Sequence, residues 1–393
     1  MKKKFACFAM AMVMVLGLAA CGGKKEEAPA APAESSNDAS VSVFKVGTIG
    51  PLTGDAAIYG QAVANGAKIA VDQINAAGGA IQFELQSQDD EADGEKSVNA
   101  YNTLMDWGMQ VMVGPTTTGA SIAVSAQANA DRTFMLTPSA SSVDVIDGKD
   151  NVFQVCFTDP NQGVASADYI SENMAGTKVA VIYRNDDAYS QGIRDTFVTE
   201  AANQGIEVVY EGTFTKDTAT DFSVQLTAAQ SAGADTVFLP IYYQPASVIL
   251  SQANAMGYEP TFFGVDGMDG ILTMEGFDTS LAEGVMLLTP FSADAEDERT
   301  QTFVKTYQEQ FGNTPNQFAA DAYDAVYTYA AALEAAGCTS DMSAADICEA
   351  LVGVMTTISV DGLTGQGMTW DASGAVSKAP MAVVIENGTY VLP

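Results

Sequence analysis

The segment from residue 111 to residue 142 constrains the fold more than any other part of this chain. Two short apolar runs, at 111–113 and 134–136, are bounded by turn-forming residues, as is typical of buried parallel strands. Each run leads into a loop rich in Ser and Thr, at 115–119 and 137–141. In an open α/β sheet such loops lie at the carboxyl ends of the strands, where ligands bind. The segment therefore predicts a parallel sheet with hydroxyl groups along its ligand-binding edge.

Two interpretations of these hydroxyl groups stay open from the residues alone. A helix that begins after such a loop presents free N–H groups and a partial positive charge, so hydroxyls and amides together can hold a carboxylate without Lys or Arg. The alternative is that the Ser and Thr side chains only cap helices, a position that they favour in any fold. The pattern occurs in two successive loops. Other parts of the chain are needed to decide between ligand binding and helix capping.

The first 42 residues are predicted to target and tether the protein rather than to belong to its fold. Residues 1–20 have the form of a signal peptide, with three lysines before an apolar stretch that is too short for a stable membrane span. The sequence Leu-Ala-Ala-Cys that ends at Cys21 resembles a bacterial lipobox, which makes Cys21 the acylated first residue of the mature chain. An ordinary cleaved signal and an uncleaved anchor are the alternatives. The rest of 21–42, rich in Pro, Ala, Ser and Glu, is a flexible tether.

Composition narrows the classes of function. The chain has 393 residues, of which 47% are hydrophobic, which is enough for a large core and predicts two domains. Without the three lysines of the signal peptide it carries 14 basic and 49 acidic residues, a net charge of −35. Such a charge argues against binding to nucleic acid and against electrostatic adhesion to anionic lipid.

Several absences from the sequence argue against an enzyme. Histidine, the commonest general base and metal ligand at neutral pH, does not occur. No nucleotide-binding or nucleophile-elbow motif stands in a suitable context. The acidic loop 89–94 partly matches a calcium site, but Ala100 stands where a bidentate Glu is needed. We therefore expect no catalytic residues, no cofactor and no metal.

Cysteine usage leaves the redox state open. Besides Cys21, the mature chain has Cys156, Cys338 and Cys348, without the CxxC spacing of zinc or dithiol redox sites. In an oxidising compartment Cys338 and Cys348 can pair, which leaves Cys156 single. Buried free thiols are the alternative.

A weak internal duplication predicts two similarly wound α/β lobes. In each copy an apolar strand leads through a polar loop to a helix with a tyrosine at its start, Tyr59 in the first copy and Tyr189 in the second. Each tyrosine is either a ligand contact or a packing residue. Asp266 follows a later apolar strand in a Gly-rich loop, where it either binds an ammonium group opposite the hydroxyl loops or forms a turn.

The second half of the chain continues with strand and helix patterns. Further strands are expected at 236–239, 262–264 and 284–288, with helices at 297–311 and 317–336. Two late strands are expected at 367–370 and 381–385, and Asn387-Gly388 is a hairpin turn signal.

Seven ordered motifs carry a resemblance to a known family. They are GPLTG at 50–54 with Tyr59-Gly60, DD at 89–90, VGP at 113–115, TPSA at 137–140, YSQG at 189–192, GVDG at 264–267 and AYDA at 322–325. Over about residues 43–393 the chain resembles the type I periplasmic binding proteins of the branched-chain amino-acid (leucine/isoleucine/valine-binding) family.

The resemblance implies an α/β fold of two Rossmann-like lobes with parallel-sheet cores, joined by three hinge crossings. These crossings are placed near 155–158, 287–291 and 379–383. Lobe 1 then combines 43–156 with 289–380, and lobe 2 combines 157–288 with 381–393.

The resemblance also transfers ligand-binding roles to matching positions. Thr118 matches the hydroxyl that binds the ligand's carboxylate, and Ser139, Ala140 and Ser141 match the second hydroxyl loop. Asp266 matches the acid that binds the ammonium group, where the family usually has the longer Glu. The aromatic residues of the cleft match Tyr59, Tyr189 and Tyr243 (Tyr242 if the register slips by one), with Phe318 near the side-chain pocket.

The function implied by the resemblance is that of an extracytoplasmic, lipid-anchored and monomeric substrate-binding protein of an ABC importer. Such a protein binds an amino acid, here branched-chain or otherwise aliphatic, and delivers it to permease and ATPase subunits. The alternatives are a receptor for an amide, a urea or an aromatic acid, and a sensory ligand-binding lipoprotein. A hydrolase that uses Ser139 or Ser141 is a further alternative, but no histidine is present to activate the serine.

Overall fold

The computed structural model describes residues 41–392. The predicted signal peptide, the lipidated Cys21 and nearly all of the tether lie outside the described residues. Within them, no helix is both long and apolar enough to cross a membrane.

Strands and helices alternate through most of the described residues. The strands are β1 (Ser42–Gly50), β2 (Ile81–Asp89), β3 (Val111–Val113), β4 (Phe134–Thr137), β5 (Val152–Gln154), β6 (Lys178–Arg184), β7 (Glu207–Phe214), β8 (Thr236–Leu239), β9 (Thr261–Gly264), β10 (Met286–Thr289), β11 (Met381–Glu386) and β12 (Thr389–Val391). The helices are α1 (Ala57–Ala77), α2 (Gly94–Trp107), α3 (Thr118–Asp131), α4 (Asp159–Asn173), α5 (Ala188–Gln204), α6 (Ser223–Ser231), α7 (Tyr243–Met256), α8 (Glu298–Phe311), α9 (Gln317–Ala335) and α10 (Ala344–Met355).

The first sheet has five parallel strands in the order β2-β1-β3-β4-β5. Its central strands β3 and β4 are fully buried, which explains why they are continuous apolar runs without alternation. Val111 of β3 is in register with Val46 on one side and with Phe134 on the other. The two predicted strands of the opening segment are confirmed, and their carboxyl ends lie side by side.

The second sheet has seven strands in the order β12-β11-β10-β9-β8-β6-β7. Strands β6 to β10 run parallel, and β11 and β12 add an antiparallel edge. Asn387 and Gly388 join these two strands with positive φ angles of 52° and 73°, so the predicted hairpin is confirmed. Together the two sheets, with helices packed on them, confirm the predicted α/β class.

The strand predicted at 367–370 is wrong. Only isolated bridges, Val360 with Met368 and Trp370 with Val376, occur in this region. Side chains hold it instead: the indole N–H of Trp370 donates to the carbonyl of Gln154 at 2.7 Å. Residues that favour strands, such as Trp370, therefore attach a loop to β5 of the first sheet.

A buried ion pair also holds this region against α9. The Lys378 ammonium donates to Asp321 at 2.7 Å, and both side chains are 2% exposed. It also donates to the Thr364 hydroxyl at 2.5 Å, and that hydroxyl donates to Asp324 at 2.6 Å. Burial raises the pKa of Asp321 to about 6, although the nearby Lys378 opposes the shift. One cation thus compensates two buried carboxyl groups.

The three cysteines among the described residues are buried free thiols. Of the two possibilities left open for Cys338 and Cys348, the structure has the unpaired one. Burial raises the pKa of Cys348 to about 11, so the thiol form prevails at neutral pH.

Helix α1 packs closely on α9 because Gly66 has no side chain. A Cβ atom at this position would lie 1.9 Å from the carbonyl oxygen of Ala319, which belongs to the backbone and cannot turn aside. We expect Gly66→Ala to lower the free energy of unfolding by about 1–3 kcal/mol, as overpacking does. The matched control is Gly353→Ala in α10, where a Cβ meets nothing within 4 Å and should add about 0.5–1 kcal/mol. Urea unfolding of both variants checks this, and equal effects would contradict it.

Candidate functional site

The two hydroxyl loops fasten each other at the carboxyl ends of β3 and β4. The hydroxyl of Thr137 donates to the carbonyl of Pro115 at 2.8 Å, and that of Ser139 donates to the carbonyl of Thr116 at 2.6 Å. The backbone N–H of Ala140 donates to Thr137 Oγ1 at 3.0 Å, and its carbonyl accepts from Gln154 at 2.7 Å. These groups have structural partners, so they fix the shape of the loops.

Three other hydroxyl groups of these loops have no such partner. Thr117, Thr118 and Ser141 are buried, and their hydroxyl oxygens make no hydrogen bond of good geometry among the described residues; the hydroxyl of Ser141 lies beside the carboxyl group of Asp159. Thr117 is the N-cap residue of α3, yet its side chain makes no capping hydrogen bond. The interpretation that these residues only cap helices therefore fails at Thr117.

Asp266 lies just after β9, in a 3-10 turn, and is 3% exposed. Its Oδ1 accepts from the hydroxyl of Tyr189 at 2.6 Å, and that hydroxyl accepts from the N–H of Gly267 at 3.0 Å. The N–H of Asp266 donates to the side chain of Gln162 at 3.1 Å. Burial raises the pKa of Asp266 to about 6. Its carboxyl group does not cap the turn, and no ion pair compensates it within residues 41–392.

Aromatic rings cluster beside this carboxyl group. The ring centroid of Tyr59 lies 4.5 Å from that of Phe318, 4.9 Å from that of Tyr243 and 5.3 Å from that of Tyr242. Tyr59 lies in the first turn of α1, which packs on the first sheet. Its hydroxyl donates to the carbonyl of Gly267 and accepts from the N–H of Tyr243 at 3.1 Å. The tyrosine thus connects the first sheet's helix to the Asp266 turn.

A small cavity lies between these groups, with a volume of about 10 Å³. That is room for about one water molecule. It is lined by Tyr59, Thr116, Thr117, Ser139, Tyr189, Tyr242, Asp266, Gly267 and Phe318. A larger pocket of about 400 Å³ adjoins it and shares Thr117 and Tyr242 in its wall.

The structure brings five of the nine predicted site residues into this cavity wall: Tyr59, Ser139, Tyr189, Asp266 and Phe318. The other four, which are Thr118, Ala140, Ser141 and Tyr243, are buried next to it without lining it. Of the two adjacent tyrosines, Tyr242 lines the cavity, and the Tyr243 hydroxyl instead accepts from the N–H of Ile58 at 3.4 Å. The residue in the wall is the one that the alternative register named.

Sequence reasoning missed three polar residues beside the cavity. Asp159 is 1% exposed in the first turn of α4, and the Ser141 hydroxyl lies beside its carboxyl group, although no hydrogen bond of good geometry joins the two. Burial raises its pKa well above the usual range. Gln162 contacts Asp266, as noted above, and Gln317 at the start of α9 donates to the Asp266 carbonyl at 3.3 Å. The sequence Thr158-Asp159-Pro160 could have revealed Asp159, because it predicts the start of a helix with an acidic residue in the first turn.

Comparison with known proteins decides which family this geometry belongs to. Residues 43–389 match the model of a family described as periplasmic binding protein. The chain belongs to the periplasmic binding protein family. One relative in this family, Leu/Ile/Val-binding protein homolog 3 of Brucella melitensis, is 32% identical over 305 residues, which cover 76% of this chain and 81% of that protein.

Solved structures of this family share the fold. A leucine-binding protein, LivK of Thermotoga maritima, matches with a TM-score of 0.80 and 26% identity over 89% of this chain and 97% of that one. LivJ of Streptococcus pneumoniae in complex with isoleucine matches with a TM-score of 0.79 and 28% identity over 89% of this chain and all of that one. The resemblance and the fold class predicted from the motifs are therefore confirmed. As a periplasmic binding protein the chain is a solute-binding protein, and the family implies a place outside the cytoplasm.

Proposed function

We propose that this chain is the extracytoplasmic substrate-binding protein of an ABC importer and binds an amino acid between its two sheets. The observation that carries the proposal is the pairing of unsatisfied groups across the cavity. On one side of the cavity stands the buried, uncompensated carboxyl group of Asp266; on the other stands the unpartnered hydroxyl of Thr117, and the hydroxyls of Thr118 and Ser141 are buried behind the wall. An amino acid supplies the complement of both, with its ammonium for Asp266 and its carboxylate for the hydroxyls and the N-terminus of α3.

The wall of the cavity favours an apolar side chain. Besides Asp266 it has no charged residue, and the rings of Tyr59, Tyr242 and Phe318 offer surfaces for aliphatic groups. The relative from Brucella melitensis is named for leucine, isoleucine and valine, and the LivJ structure holds isoleucine. We therefore propose a branched-chain or other aliphatic amino acid as the ligand.

Binding requires the two sheets to separate and close. A cavity of about 10 Å³ is far below the 300 Å³ or more of usual ligand pockets. We propose lobe 1 as 43–156 plus 289–380, lobe 2 as 157–288 plus 381–393, and hinges near 155–158, 287–291 and 379–383. This division is supported by sheet membership, because β1–β5 form one sheet and β6–β12 the other. Closure around a ligand is the usual behaviour of periplasmic binding proteins.

Delivery completes the proposal. The lipid on Cys21 and the tether up to residue 42 keep the monomeric receptor near a permease and its ATPase. The ligand-binding chain itself has no catalytic role.

Isothermal titration calorimetry on residues 22–393 tests the proposed ligand class. Leucine, isoleucine and valine should bind, whereas 4-methylpentanoate lacks the ammonium and 3-methylbutylamine lacks the carboxylate. Each analogue should bind about 100-fold more weakly, because it leaves buried polar groups of the site unpaired. An amide or aromatic acid that binds as tightly as leucine would instead support the alternative receptor. If the soluble chain binds an amino acid but the full-length lipoprotein supports no uptake of that amino acid into cells, the sensory alternative is supported instead.

A further inference from the structure

The pocket of about 400 Å³ beside the Asp266 cavity, which we call the outer pocket, lies where strands of both sheets end. Arg184 and Phe214 of its wall are the last residues of β6 and β7 in the second sheet, and Glu91 and Thr117 follow β2 and β3 of the first. Ligands bind at the carboxyl ends of parallel strands in α/β folds. The outer pocket therefore belongs to the same cleft as the cavity.

Two residues, Thr117 and Tyr242, form part of the wall of both the cavity and the outer pocket. Thr117 is 5% exposed, and its hydroxyl makes no hydrogen bond of good geometry among the described residues. A buried hydroxyl without a partner is unfavourable, and a ligand that supplies one removes that cost. The cavity and the outer pocket meet at these residues, so the side chain of an amino acid held at Asp266 has a way into the outer pocket.

The guanidinium group of Arg184 brings hydrogen-bond donors to the outer pocket. Its side chain is 25% exposed, and its Nε donates to Asp186 Oδ1 at 2.7 Å. A guanidinium group has five N–H donors in a planar arrangement, which is more than the contact with Asp186 uses. Arg184 therefore has donors left for an acceptor on a ligand.

Asp187, three residues further along, brings an acceptor to the same wall. It is the half-buried N-cap residue of α5, and its carboxyl group lies beside the N–H of Tyr189 without a hydrogen bond of good geometry. Burial raises the pKa of Asp187, and the nearby Arg184 opposes the shift. The ion pair of Arg184 is made with Asp186. The loop between β6 and α5 thus offers a ligand both donors and an acceptor.

The charges of the wall favour a neutral ligand group. The charged lining residues are four acids and two bases: Asp55, Glu91, Asp186, Asp187, Arg184 and Lys216. Glu91 is paired with Lys96 at 2.6 Å, and Asp186 with Arg184, which leaves a small excess of negative charge. A ligand carboxylate meets this excess, and a ligand ammonium leaves the donors of Arg184 unused. A primary carboxamide is neutral, accepts through its oxygen and donates through its nitrogen.

We propose that the outer pocket binds the end of the ligand's side chain when that end is a primary carboxamide, as in glutamine. The amide oxygen accepts from the guanidinium group of Arg184, and the amide nitrogen donates to the carboxyl group of Asp187. The stem of the side chain passes between Thr117 and Tyr242. This inference rests on the proposed function, since the cavity must hold the ligand's ammonium and carboxylate. It extends the ligand range from aliphatic amino acids to amino acids with a carboxamide end.

Isothermal titration calorimetry on residues 22–393 tests the inference with L-glutamine, L-norleucine, L-glutamate and L-lysine. Glutamine should bind at least about ten-fold more tightly than norleucine, whose side chain has a similar length but makes no hydrogen bond to the charged groups. Glutamate and lysine should also bind at least about ten-fold more weakly than glutamine, because each brings a full charge and matches only one of the two partners. Equal binding of any of these three would overturn the proposal.

Arg184→Met should lower the glutamine affinity at least about ten-fold and leave the leucine affinity unchanged, because leucine has no group for the guanidinium. Arg194→Met is the matched control. The Arg194 side chain is 27% exposed and is also paired with acids, but it lines neither the cavity nor the outer pocket. The control should change neither affinity. If Arg184→Met weakens leucine and glutamine equally, the arginine acts through the fold and the proposal is wrong.

Asp187→Asn keeps the test decisive if Arg184→Met does not fold, because Asn is an equally good N-cap residue for α5. The variant removes the charge that repels glutamate and should reduce the preference for glutamine over glutamate at least about three-fold. An unchanged preference would contradict the proposal. Binding of leucine without binding of glutamine would count against the outer pocket alone, whereas binding of neither would count against the proposed function.

Discussion

Asp266→Asn is expected to weaken leucine binding by about 30- to 1,000-fold, because removal of one partner from a buried charge pair costs about 2–4 kcal/mol. Asn keeps the size of the side chain and an acceptor for Tyr189, so the turn should survive while the charge opposite the ammonium is lost. Calorimetry on the folded variant measures the effect. Asp294→Asn is the control, as an exposed acid away from the cavity. An unchanged leucine affinity in Asp266→Asn would remove the ammonium site from the mechanism.

The same carboxyl group predicts a pH dependence. Burial raises the pKa of Asp266 to about 6, and leucine requires the deprotonated form. Affinity should therefore be constant above about pH 7 and fall as the pH drops below about 6, with a limiting slope of about ten-fold per pH unit for one proton. Titrations between about pH 5 and pH 8 measure the slope, which should be smaller in Asp266→Asn. Tighter binding at low pH would contradict the assignment.

Lys378→Met is expected to lower the free energy of unfolding by about 3–5 kcal/mol, the usual cost of breaking a buried ion pair from one side. The substitution leaves the buried Asp321 without its cation, and Asp324 also loses the nearby positive charge. Urea unfolding measures the loss. Lys305→Met removes a pair that is 75% and 67% exposed and should change stability by less than about 1 kcal/mol.

The double variant Lys378→Met, Asp321→Leu separates charge from packing in that prediction. Replacing both partners of a buried pair with apolar residues is often neutral, so the double variant should be more stable than Lys378→Met alone. If it is equally unstable, the lysine acts through its packing and its contact with Thr364 rather than through the charge of Asp321.

The parts of the fold that the sequence predicts well are those in which burial repeats along the chain. The runs at 111–113 and 134–136 are apolar at every position because both faces of a central parallel strand are covered, so pattern and structure agree there. At 367–370 the same kind of residue misleads. The loop just before it is held by a distant residue: the N–H of Leu363 donates at 2.7 Å to the carboxyl group of Asp324, which lies 39 residues before Leu363. No local sequence pattern reveals such a contact.

For the candidate site, motifs place residues along the chain but do not orient side chains. Tyr242 and Tyr243 stand at the start of α7, where one residue of register decides which ring lines the cavity. Sequence alone does not distinguish Ser139 from Ser141, yet the Ser139 hydroxyl donates to the carbonyl of Thr116, whereas the Ser141 hydroxyl lies beside the carboxyl group of Asp159 without a hydrogen bond of good geometry. Orientation depends on contacts across the two sheets, which a linear pattern does not contain.

The turn that carries Asp266 has a consequence for how this protein can diverge. Tyr189, Gln162 and Gln317 hold the turn from three elements, and Gly267 has no room for a Cβ beside the hydroxyl of Tyr189. Evolution toward a new ligand therefore has little freedom in the turn itself. We expect homologues that bind other ligands to differ first in the aromatic residues at 59, 242 and 318 and to keep the length of the turn. Ligand specificity would then change while the ammonium-binding position stays the same.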